Sequence, residues 1–455
     1  MATSHSFLPI AKNRPVFEDL VTRTLDYARS LGASDAAAEA SEAQGLAVSV
    51  RRGKVETVEQ TRDRSLDITV FAGQRRGSAS TSDFSDAALR QTVEAAWHIA
   101  RYTAEDPAAG LPDADLLAVG ARNTLQLHHP WAVSVEQATE MALEAEHAAL
   151  ATDKRITNTE GASIDTHEGH FILGNTRGFL DGYAFSRHGL SVAPIAGRGR
   201  SMQHDYWSTS DRSAKKLANP AAVGRYAAER ALSRLSARRI PTGHFPVLFE
   251  APLALGLLGA LTQAVNGGAL YRKTSFLLDA LGREIFPSHI EIAEDPHIKG
   301  AMGSSPFDEE GVRTQARELV RAGVLQGYFL SSYTARKLGM TTTGNAGGSH
   351  NLVMRSTQTR RQDNLDAMLR KMGTGLLVTE LIGQGVNYVT GDYSRGAFGY
   401  WVQNGKIQHA VEEVTIAGNL KEMFAQIVAV GADTITRGSK TTGSILIERM
   451  AIAGT

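Results

Sequence analysis

The most constraining feature of this sequence is a long run without charge, from Ala251 to Tyr271. Its length approaches the roughly 20 residues that cross a bilayer, so the run belongs either in a membrane or in a protein core. Pro252 and the pair Gly267–Gly268 make it a poor membrane span. The pattern therefore predicts a buried helix from Leu253 to Val265, with no group able to act as acid, base or metal ligand.

The charge balance and the lack of cysteine narrow the classes of function. The 48 Lys and Arg residues balance 48 Asp and Glu residues, and the chain has no cysteine. A neutral chain gives no electrostatic reason to expect nucleic acid or an anionic membrane as the main partner. Without cysteine, disulfides, thiol nucleophiles, zinc ribbons and iron–sulfur clusters are excluded. The first residues lack the basic and apolar segments of a secretion signal, so we expect a cytoplasmic protein.

Periodic patterns divide the chain into three segments. Residues 1–115 and 116–240 each combine amphipathic helices with strands that alternate apolar and polar residues. Residues 241–455 are rich in glycine and mostly strand after the uncharged helix. Helix–strand–strand–helix segments before a β-rich half are typical of an α+β protein rather than a doubly wound parallel sheet.

Two local patterns in the middle segment make specific predictions. Ser134 and Gln137 predict a capping box at the start of a helix. Alternating stretches after that helix predict four strands, at residues 156–159, 163–173, 182–193 and 197–207.

The string THEGHF places His167, Glu168 and His170 close together, which raises the question of a metal site. In a helical HExxH motif both imidazoles share one face, because four residues make about one turn. Here the spacing is three in a segment with strand alternation, and residues three apart on a strand point to opposite faces. The pattern favours a surface strand over a metal site.

Two serines have incomplete nucleophile patterns. Ser394 in GDYSRGAFG has Asp392 where a nucleophile elbow requires glycine. Ser213 and Lys216 match the S-x-x-K spacing, but a two-residue match is expected by chance in a chain of this length. Neither serine comes with the base and oxyanion donors of an active site, so structural roles are favoured.

Two glycine-rich strings, at residues 344–348 and 373–385, invite comparison with phosphate-binding loops. Neither fits the P-loop pattern, and neither continues from G-x-G-x-x-G into a helix. Tight turns and close backbone approach are the favoured explanation.

Long stretches of the C-terminal half carry a family resemblance. The strings SSYTARKLGMTTTGNAGG, LLVTELIGQGVNYVTGDYSRGAFGYWVQNGKIQHAVEEVTIAGNL and FPVLFEAPLALGLLGAL resemble the TldD/PmbA family of bacterial and archaeal proteases. The resemblance is densest from Phe245 to Leu420 and weaker in the N-terminal VRRGKVETVEQ. On these residues the chain is identified as a member of that family.

The resemblance also indicates a branch of the family. TldD-like members carry HExxxH on the helix before the shared loop Arg272–Ser275, and a C-terminal cysteine completes their zinc site. Alignment on that loop puts the motif positions at Gly259, Ala260 and Ala264, which have no ligand atoms in their side chains. Catalytic zinc needs at least three protein ligands and an open position. The chain thus resembles the metal-free PmbA/TldE branch, and we expect no catalytic residue, metal or cofactor of its own.

The resemblance implies a subunit role. We expect a TldD-like partner that holds the zinc, and an enclosed chamber in which the pair cleaves unfolded peptides such as leader peptides and antitoxins. Whether the chain forms a homodimer when alone stays open from the sequence. Polar candidates for the chamber or the interface are Arg272, Lys273, Asp392, Ser394 and Arg395. Loops often carry function, but stabilisation of turns explains these residues equally well.

Some alternatives stay open from the sequence. Gly256, Ala260 and Ala264 recur every four residues, so they predict a small-residue stripe that packs either on the chain's own core or on another backbone. In place of a subunit role, the chain could be a peptidase that acts alone as a homodimer. A non-enzymatic modulator of DNA gyrase is the third function considered.

Overall fold

The structure is a computed structural model that describes residues 13–120 and 124–454. The prediction that the chain has no secretion signal concerns its first residues, and residues 1–12 lie outside the described residues. In the described residues the α-helices are α1 (Arg14–Ser30), α2 (Asp86–Tyr102), α3 (Val135–Ala151), α4 (Pro220–Ser233), α5 (Ala251–Ala264), α6 (Gly267–Tyr271), α7 (Ser332–Lys337), α8 (Leu365–Met372) and α9 (Leu420–Ala425).

The strands of the same residues divide between an N-terminal group and a C-terminal group. The first group is β1 (Asp35–Arg51), β2 (Lys54–Ala72), β3 (Arg75–Thr81), β4 (Ile156–Asn175), β5 (Leu180–Asp181), β6 (Ala184–Ala196), β7 (Gln203–His204) and β8 (Trp207–Asp211). The second group is β9 (Gly243–Phe249), β10 (Ile290–Asp295), β11 (Arg317–Arg321), β12 (Val324–Leu325), β13 (Asn351–Ser356), β14 (Gly375–Ile382), β15 (Asp392–Gln403), β16 (Lys406–Asn419), β17 (Ile427–Val430), β18 (Ile435–Arg437), β19 (Lys440–Thr442) and β20 (Ile445–Ala453).

Strands β1 to β8 form one antiparallel sheet in the order β3-β2-β1-β4-β6-β7, with β5 paired to β4 and β8 paired to β6. Helices α1 and α2 pack on residues such as Ala38 of β1, and α3 and α4 pack on residues such as Val48. Even-numbered residues of one strand share a face, so all four helices cover the same side of this sheet. The other side faces the C-terminal half, where Phe171 and Leu173 pack near Phe307.

The C-terminal half contains two six-stranded sheets in the described residues. One has the order β12-β11-β10-β13-β19-β18 and the other the order β16-β15-β14-β9-β20-β17. In the second, β16 also pairs with β20, so five of its strands close on themselves. Helix α5 contacts β14 of this sheet and β18 and β19 of the first one. The largest apolar cluster of the described residues therefore surrounds α5.

The structure confirms the predicted α+β class with a β-rich C-terminal part. The predicted capping box is present: Ser134 Oγ accepts the N–H of Gln137, whose side chain accepts the N–H of Ser134. No helix in the described ranges is long and apolar enough to cross a membrane.

The uncharged helix begins at Ala251, two residues earlier than expected. The division of the chain at residues 115 and 240 stays a prediction, although strands from both sides of residue 115 share one sheet.

Three of the predicted strands were wrong in extent. The stretches at 156–159 and 163–173 are parts of the single strand β4, because the bulges near Asn158 and Gly161 bend the strand without ending it. The stretch at 197–207 is mostly not strand. Gly197 and Gly199 have φ values of 83° and 59°, which interrupt an extended chain. Only β7 and the first residue of β8 remain there.

We expect Gly399→Ala to lower the melting temperature by about 5 °C or more. A Cβ at Gly399 would lie 1.9 Å from the carbonyl oxygen of Leu377 on the neighbouring strand, and a backbone oxygen cannot move aside cheaply. The matched control is Gly256→Ala on α5, where a Cβ meets no atom within 4 Å. That change should raise the melting temperature by about 1–2 °C, because alanine favours helix over glycine. Thermal unfolding of both variants measures this, and equal shifts would contradict the packing described.

Candidate functional site

Helix α5 has one buried side and one open side. Its buried residues are Ala251, Ala254, Leu255, Leu257, Leu258, Ala260, Leu261 and Ala264. Gly256 and Gln263 are exposed, and Pro252 and Gly259 are half-buried. A Cβ added at Gly256 or Gly259 would have no heavy atom within 4 Å. The open side is therefore a smooth backbone surface with free space in front of it.

The predicted small-residue stripe divides between these two sides. Ala260 and Ala264 are buried in the core, whereas Gly256 is exposed. Successive residues turn by about 100° around a helix, so a spacing of four drifts from one side to the other. The surface available to another backbone is the one formed by Gly256 and Gly259.

The three positions to which the family resemblance assigns a zinc motif do not fit a metal ion here. Gly259 lies on the open side without a side chain, and Ala260 and Ala264 are 5% and 0% exposed, respectively. Hydrogen and methyl side chains offer no lone pair for zinc. No cluster of three or more His, Asp or Glu side chains suited to a metal occurs in residues 13–120 or 124–454.

The loop behind α5 closes the end of the helix. Ser275 Oγ donates to the carbonyl oxygen of Ala264 at 2.6 Å and accepts the N–H of Leu277 at 3.0 Å. Asn266 Oδ1 accepts the N–H of Gly268 at 2.8 Å and so starts the short helix α6. The last carbonyls of a helix need such partners when they are buried. This part of the conspicuous loop therefore has a structural task whether or not the helix carries a catalytic group.

The predicted residues Arg272 and Lys273 lie at the exposed tip of this loop. The Arg272 guanidinium lies over the ring of Tyr271, with 5.2 Å between its carbon and the ring centroid. Lys273 has a φ of 57°, an uncommon value for a residue with a side chain. Neither cation is in an ion pair with another residue of the described part, so both are available to a partner.

The other three predicted residues lie on β15, whose preceding turn contacts the loop. The N–H of Phe276 donates to the carbonyl oxygen of Tyr388 at 2.9 Å. Asp392 is fixed in that turn by Thr390 Oγ1 at 2.6 Å and Asn419 Nδ2 at 3.3 Å. The structure thus brings the loop of Arg272 and Lys273 beside the turn that leads to Asp392.

Ser394 and Arg395 follow on the same strand. Ser394 is exposed, and its main-chain N–H donates to the carbonyl oxygen of Gly385 at 2.7 Å. The Arg395 guanidinium donates to the carbonyl oxygen of Leu381 at 3.4 Å, while its buried Nε has no partner within the described part. Successive residues of a strand face opposite sides, so Ser394 and Arg395 do not act on the same surface.

The THEGHF residues lie on β4 and do not converge. His167 is exposed, whereas His170 is buried against the ring of Phe17. Burial, with the nearby charges of Arg14 and His128, lowers the pKa of His170 to about 4. Glu168 accepts the N–H of Trp131 at 3.1 Å and lies 3.4 Å from His128 Nε2. These contacts of Glu168 connect the loop that carries His128 and Trp131 to strand β4 of the sheet.

The other sequence motifs have structural roles. Gly344, Gly347 and Gly348 have φ values of 68°, 92° and 115°, as expected for tight turns. Ser213 and Lys216 lie in one short turn, in which the N–H of Lys216 donates to the carbonyl oxygen of Ser213 at 2.9 Å.

Sequence reasoning missed a buried ion network that holds the start of α5. Arg230 of α4 donates to Asp205 at 3.0 Å and to Glu250 at 2.8 Å, and Glu250 is the residue just before α5. Arg234 lies 2.7 Å from Asp205 and also bonds Glu380 of β14. Burial would lower the pKa of Arg230, but the hydrogen bond and charge of Glu250 raise it overall. The only signal in the sequence is the spacing of four between the two arginines, which puts them on one face of α4.

No sequence pattern indicates the cleft that lies between the N-terminal sheet and the C-terminal half. Two cavities of about 750 and 550 Å³ lie there, and Glu309 lines both. Glu39 of β1 lines the smaller cavity, opposite Asp67 of β2 in the sheet. Burial, together with the charges of Asp67 and Glu309, raises the pKa of Glu39 to about 7. The cleft therefore holds a carboxyl group that is poorly stabilised when ionised.

Comparison with known proteins places the whole chain in one family. Family models for PmbA/TldA metallopeptidase domain 1, the central domain and the C-terminal domain match residues 36–100, 128–235 and 242–454. The Metalloprotease PmbA of Escherichia coli O157:H7 is 48% identical over 446 residues, which are 98% of each chain.

Solved structures give the same picture. A Bacteroides thetaiotaomicron protein with a suggested role as a modulator of DNA gyrase superposes with a TM-score of 0.90 and 28% identity, over 96% of this chain and 99% of that chain. TldE from Thermococcus kodakarensis superposes with a TM-score of 0.82 over 96% of this chain and 99% of that chain. At 18% identity, the second likeness is one of fold alone.

We expect Glu39→Gln to stabilise the protein at pH 8 and to have little effect at pH 5. A carboxyl group with a pKa of about 7 in the folded chain and an ordinary value of 4.5 makes its full contribution to stability below pH 4.5. That contribution is lost as the pH rises through 7, and the glutamine variant avoids the loss. The gain in unfolding free energy at pH 8 should be on the order of 2 kcal/mol.

Denaturation of both proteins from pH 5 to pH 8 measures this difference. Glu140→Gln, on the exposed side of α3, is the control and should show no such trend. A difference between Glu39→Gln and the native chain that is constant over this range would contradict the assigned titration.

Proposed function

This chain belongs to the PmbA/TldD family of metallopeptidases, and from that premise we propose that it is the non-catalytic subunit of a zinc peptidase completed by a TldD-like chain. The observation that carries the proposal is helix α5. Its positions 259, 260 and 264 have no ligand atoms, yet the helix and its loop remain fully folded. A chain that keeps the framework and lacks the ligands is suited to completing another chain's site.

In this proposal the chain provides a wall of the chamber and a surface for extended peptide. The open side of α5, at Gly256 and Gly259, allows close approach of another backbone because no side chain projects there. Arg272 and Lys273 add positive charge at the loop next to it. Contacts of this kind recognise backbone and carboxylates, which suits unfolded substrates without a fixed sequence.

Two other functions make different demands. A peptidase that acts alone needs a nucleophile or an activated water in this chain. In the described part, the carboxylate of Asp211 accepts the main-chain N–H of Ser213 at 2.9 Å, and the main-chain N–H of Ser394 donates to the carbonyl oxygen of Gly385. These contacts activate neither serine hydroxyl. The gyrase role belongs to the Bacteroides relative, and the balance of charge here gives no support for direct contact with DNA.

We expect the purified chain to cleave an unstructured peptide at least tenfold more slowly than its complex with a TldD-like zinc subunit. The two chains should also co-purify when only one carries an affinity tag. The control is the same complex after removal of zinc by a chelator, which should be as inactive as this chain alone. Cleavage by this chain alone in chelator-treated buffer would show that it is itself the enzyme.

We expect Gly259→Trp to fold normally and to reduce cleavage by the complex several-fold. A Cβ at Gly259 would meet no heavy atom within 4 Å, so we expect the isolated protein to tolerate a side chain that points outward there. The indole would then fill the proposed chamber. Ile99→Trp, on the exposed side of α2, is the matched control on another helix. Melting temperature and peptide cleavage are measured for both variants. Full activity of Gly259→Trp in the complex would mean that this surface does not face the substrate.

A further inference from the structure

The cleft between the N-terminal sheet and the C-terminal half has a carboxyl group on each wall. Glu39 of β1 lines the smaller of its two cavities, and Glu309 of the C-terminal half lines both. The main-chain N–H of Glu309 donates to the carbonyl oxygen of Ala346 at 3.3 Å. Its carboxyl group lies against Gly347, where an added Cβ would be 2.5 Å from the carboxyl carbon. Both carboxyl groups are therefore carried by an ordered backbone.

Neither carboxyl group has a cation of its own. In residues 13–120 and 124–454, Glu39 and Glu309 take part in no ion pair and no side-chain hydrogen bond. The charges that act on Glu39 are those of Asp67 and Glu309, and both are negative. A half-buried carboxylate without a partner is unfavourable, so this part of the cleft lacks a positive charge.

The cations that line the smaller cavity do not supply that charge. Arg212 donates to backbone carbonyl oxygens at 2.9 and 3.0 Å. His167 and Arg187 lie opposite each other in the sheet, and His167 pairs with Gly45 of β1. Gly45 is six residues from Glu39, which is about 20 Å along the strand at ~3.4 Å per residue. The positive side chains are thus either committed to the backbone or distant.

Aromatic rings form the wall beside the two carboxyl groups. Phe171 and Tyr183 are half-buried and line the smaller cavity, packed edge to face with 4.7 Å between their ring centroids. Phe307 lies 5.6 Å from Tyr183 by the same measure. Burial raises the pKa of Tyr183, and the nearby charges of Glu39 and Glu309 add to this effect. The rings and the carboxyl groups are therefore neighbours around one space.

We propose that this cleft binds an organic ammonium group between Glu39 and Glu309, with the apolar stem of the ligand against Phe171 and Tyr183. An ammonium group has three donors, which suits acceptors on two opposite walls, and aromatic rings attract organic cations. A cavity of about 550 Å³ has the size of small-molecule sites. Calcium and magnesium need about six oxygen ligands, which two separate carboxyl groups do not provide.

A free amine and a lysine side chain of a peptide share this chemistry. The inference does not depend on the proposed function, because binding is measured on the isolated chain. We expect 1,5-diaminopentane or lysine blocked at both its amino and carboxyl ends to bind at pH 8 with a Kd of about 1 mM or tighter, measured by isothermal titration calorimetry. The ligand control is 1,5-pentanediol, which has the same stem without charge and should not bind.

Glu39→Gln and Glu309→Gln should each weaken binding at least tenfold, because each removes one charged acceptor. Phe171→Leu should weaken it several-fold, since it keeps an apolar side chain and removes the ring. Glu140→Gln, on the exposed side of α3, is the matched control and should bind as the native chain does. Melting temperatures confirm that all four variants are folded.

The pH dependence separates a contact with Glu39 from an effect on folding. A bound ammonium group favours the ionised form of Glu39, so binding at pH 7 should release about half a proton, seen as different heats in two buffers. Binding should also weaken at least tenfold from pH 8 to pH 5. Asp308, His167 and His350 line the same cavity and stay in place in Glu39→Gln. Loss of both effects in that variant assigns the proton to Glu39.

The inference is overturned if neither amine binds the native chain at about 20 mM, or if the diol binds equally well. Binding that persists unchanged in both glutamine variants would overturn it too. Tighter binding of the blocked lysine than of 1,5-diaminopentane would assign the cleft to a basic side chain of a peptide. The reverse order would assign it to a free amine.

Discussion

The burial of α5 between two sheets is the constraint on which the C-terminal half depends. The helix contacts β14 on one side and β18 and β19 on the other, so it takes part in the cores of both sheets. A charged residue on its inner side would be buried without a partner, which is strongly unfavourable. This explains why the buried side of the helix carries no charge. The only part released from the constraint is the open side at Gly256 and Gly259.

The same helix is held at both ends by groups from elsewhere in the chain. Glu250 at its start is bonded by Arg230 of α4, and the carbonyl oxygen of Ala264 at its end is bonded by Ser275 of the following loop. Removing one member of a buried ion network leaves its partner's charge uncompensated, so such networks define a single arrangement. The position of α5 is therefore set by the middle segment as well as by the C-terminal sheets.

Sequence patterns predicted the elements whose evidence is local. The capping box at Ser134 and Gln137 and the uncharged helix follow from spacing and composition over a few residues, and both are present. Long-range pairing has no such local signal. The pairing of β1 with β4 joins residues more than a hundred positions apart, such as Val48 with Ile164.

The candidate residues divide along the same line. The position of Arg272 and Lys273 on an exposed loop could be predicted, since glycines and polar residues surround them. Their proximity to the turn before Asp392 depends on one backbone hydrogen bond between Phe276 and Tyr388, which no sequence pattern records. The network of Arg230, and the cleft at Glu39, arise only where separate segments meet.

Burial at α5 also bears on whether this helix could hold a zinc site. Of the three motif positions, 259 faces open space, whereas 260 and 264 are 5% and 0% exposed. A glutamate and a histidine placed there would enter a closed core, and overpacking of a core is itself destabilising. Restoring the three side chains alone would therefore leave two of them without room, and a zinc site would also require a shift of α5 relative to β18 and β19. The packing around the helix thus opposes a zinc site at these three positions, in addition to their lack of ligand atoms.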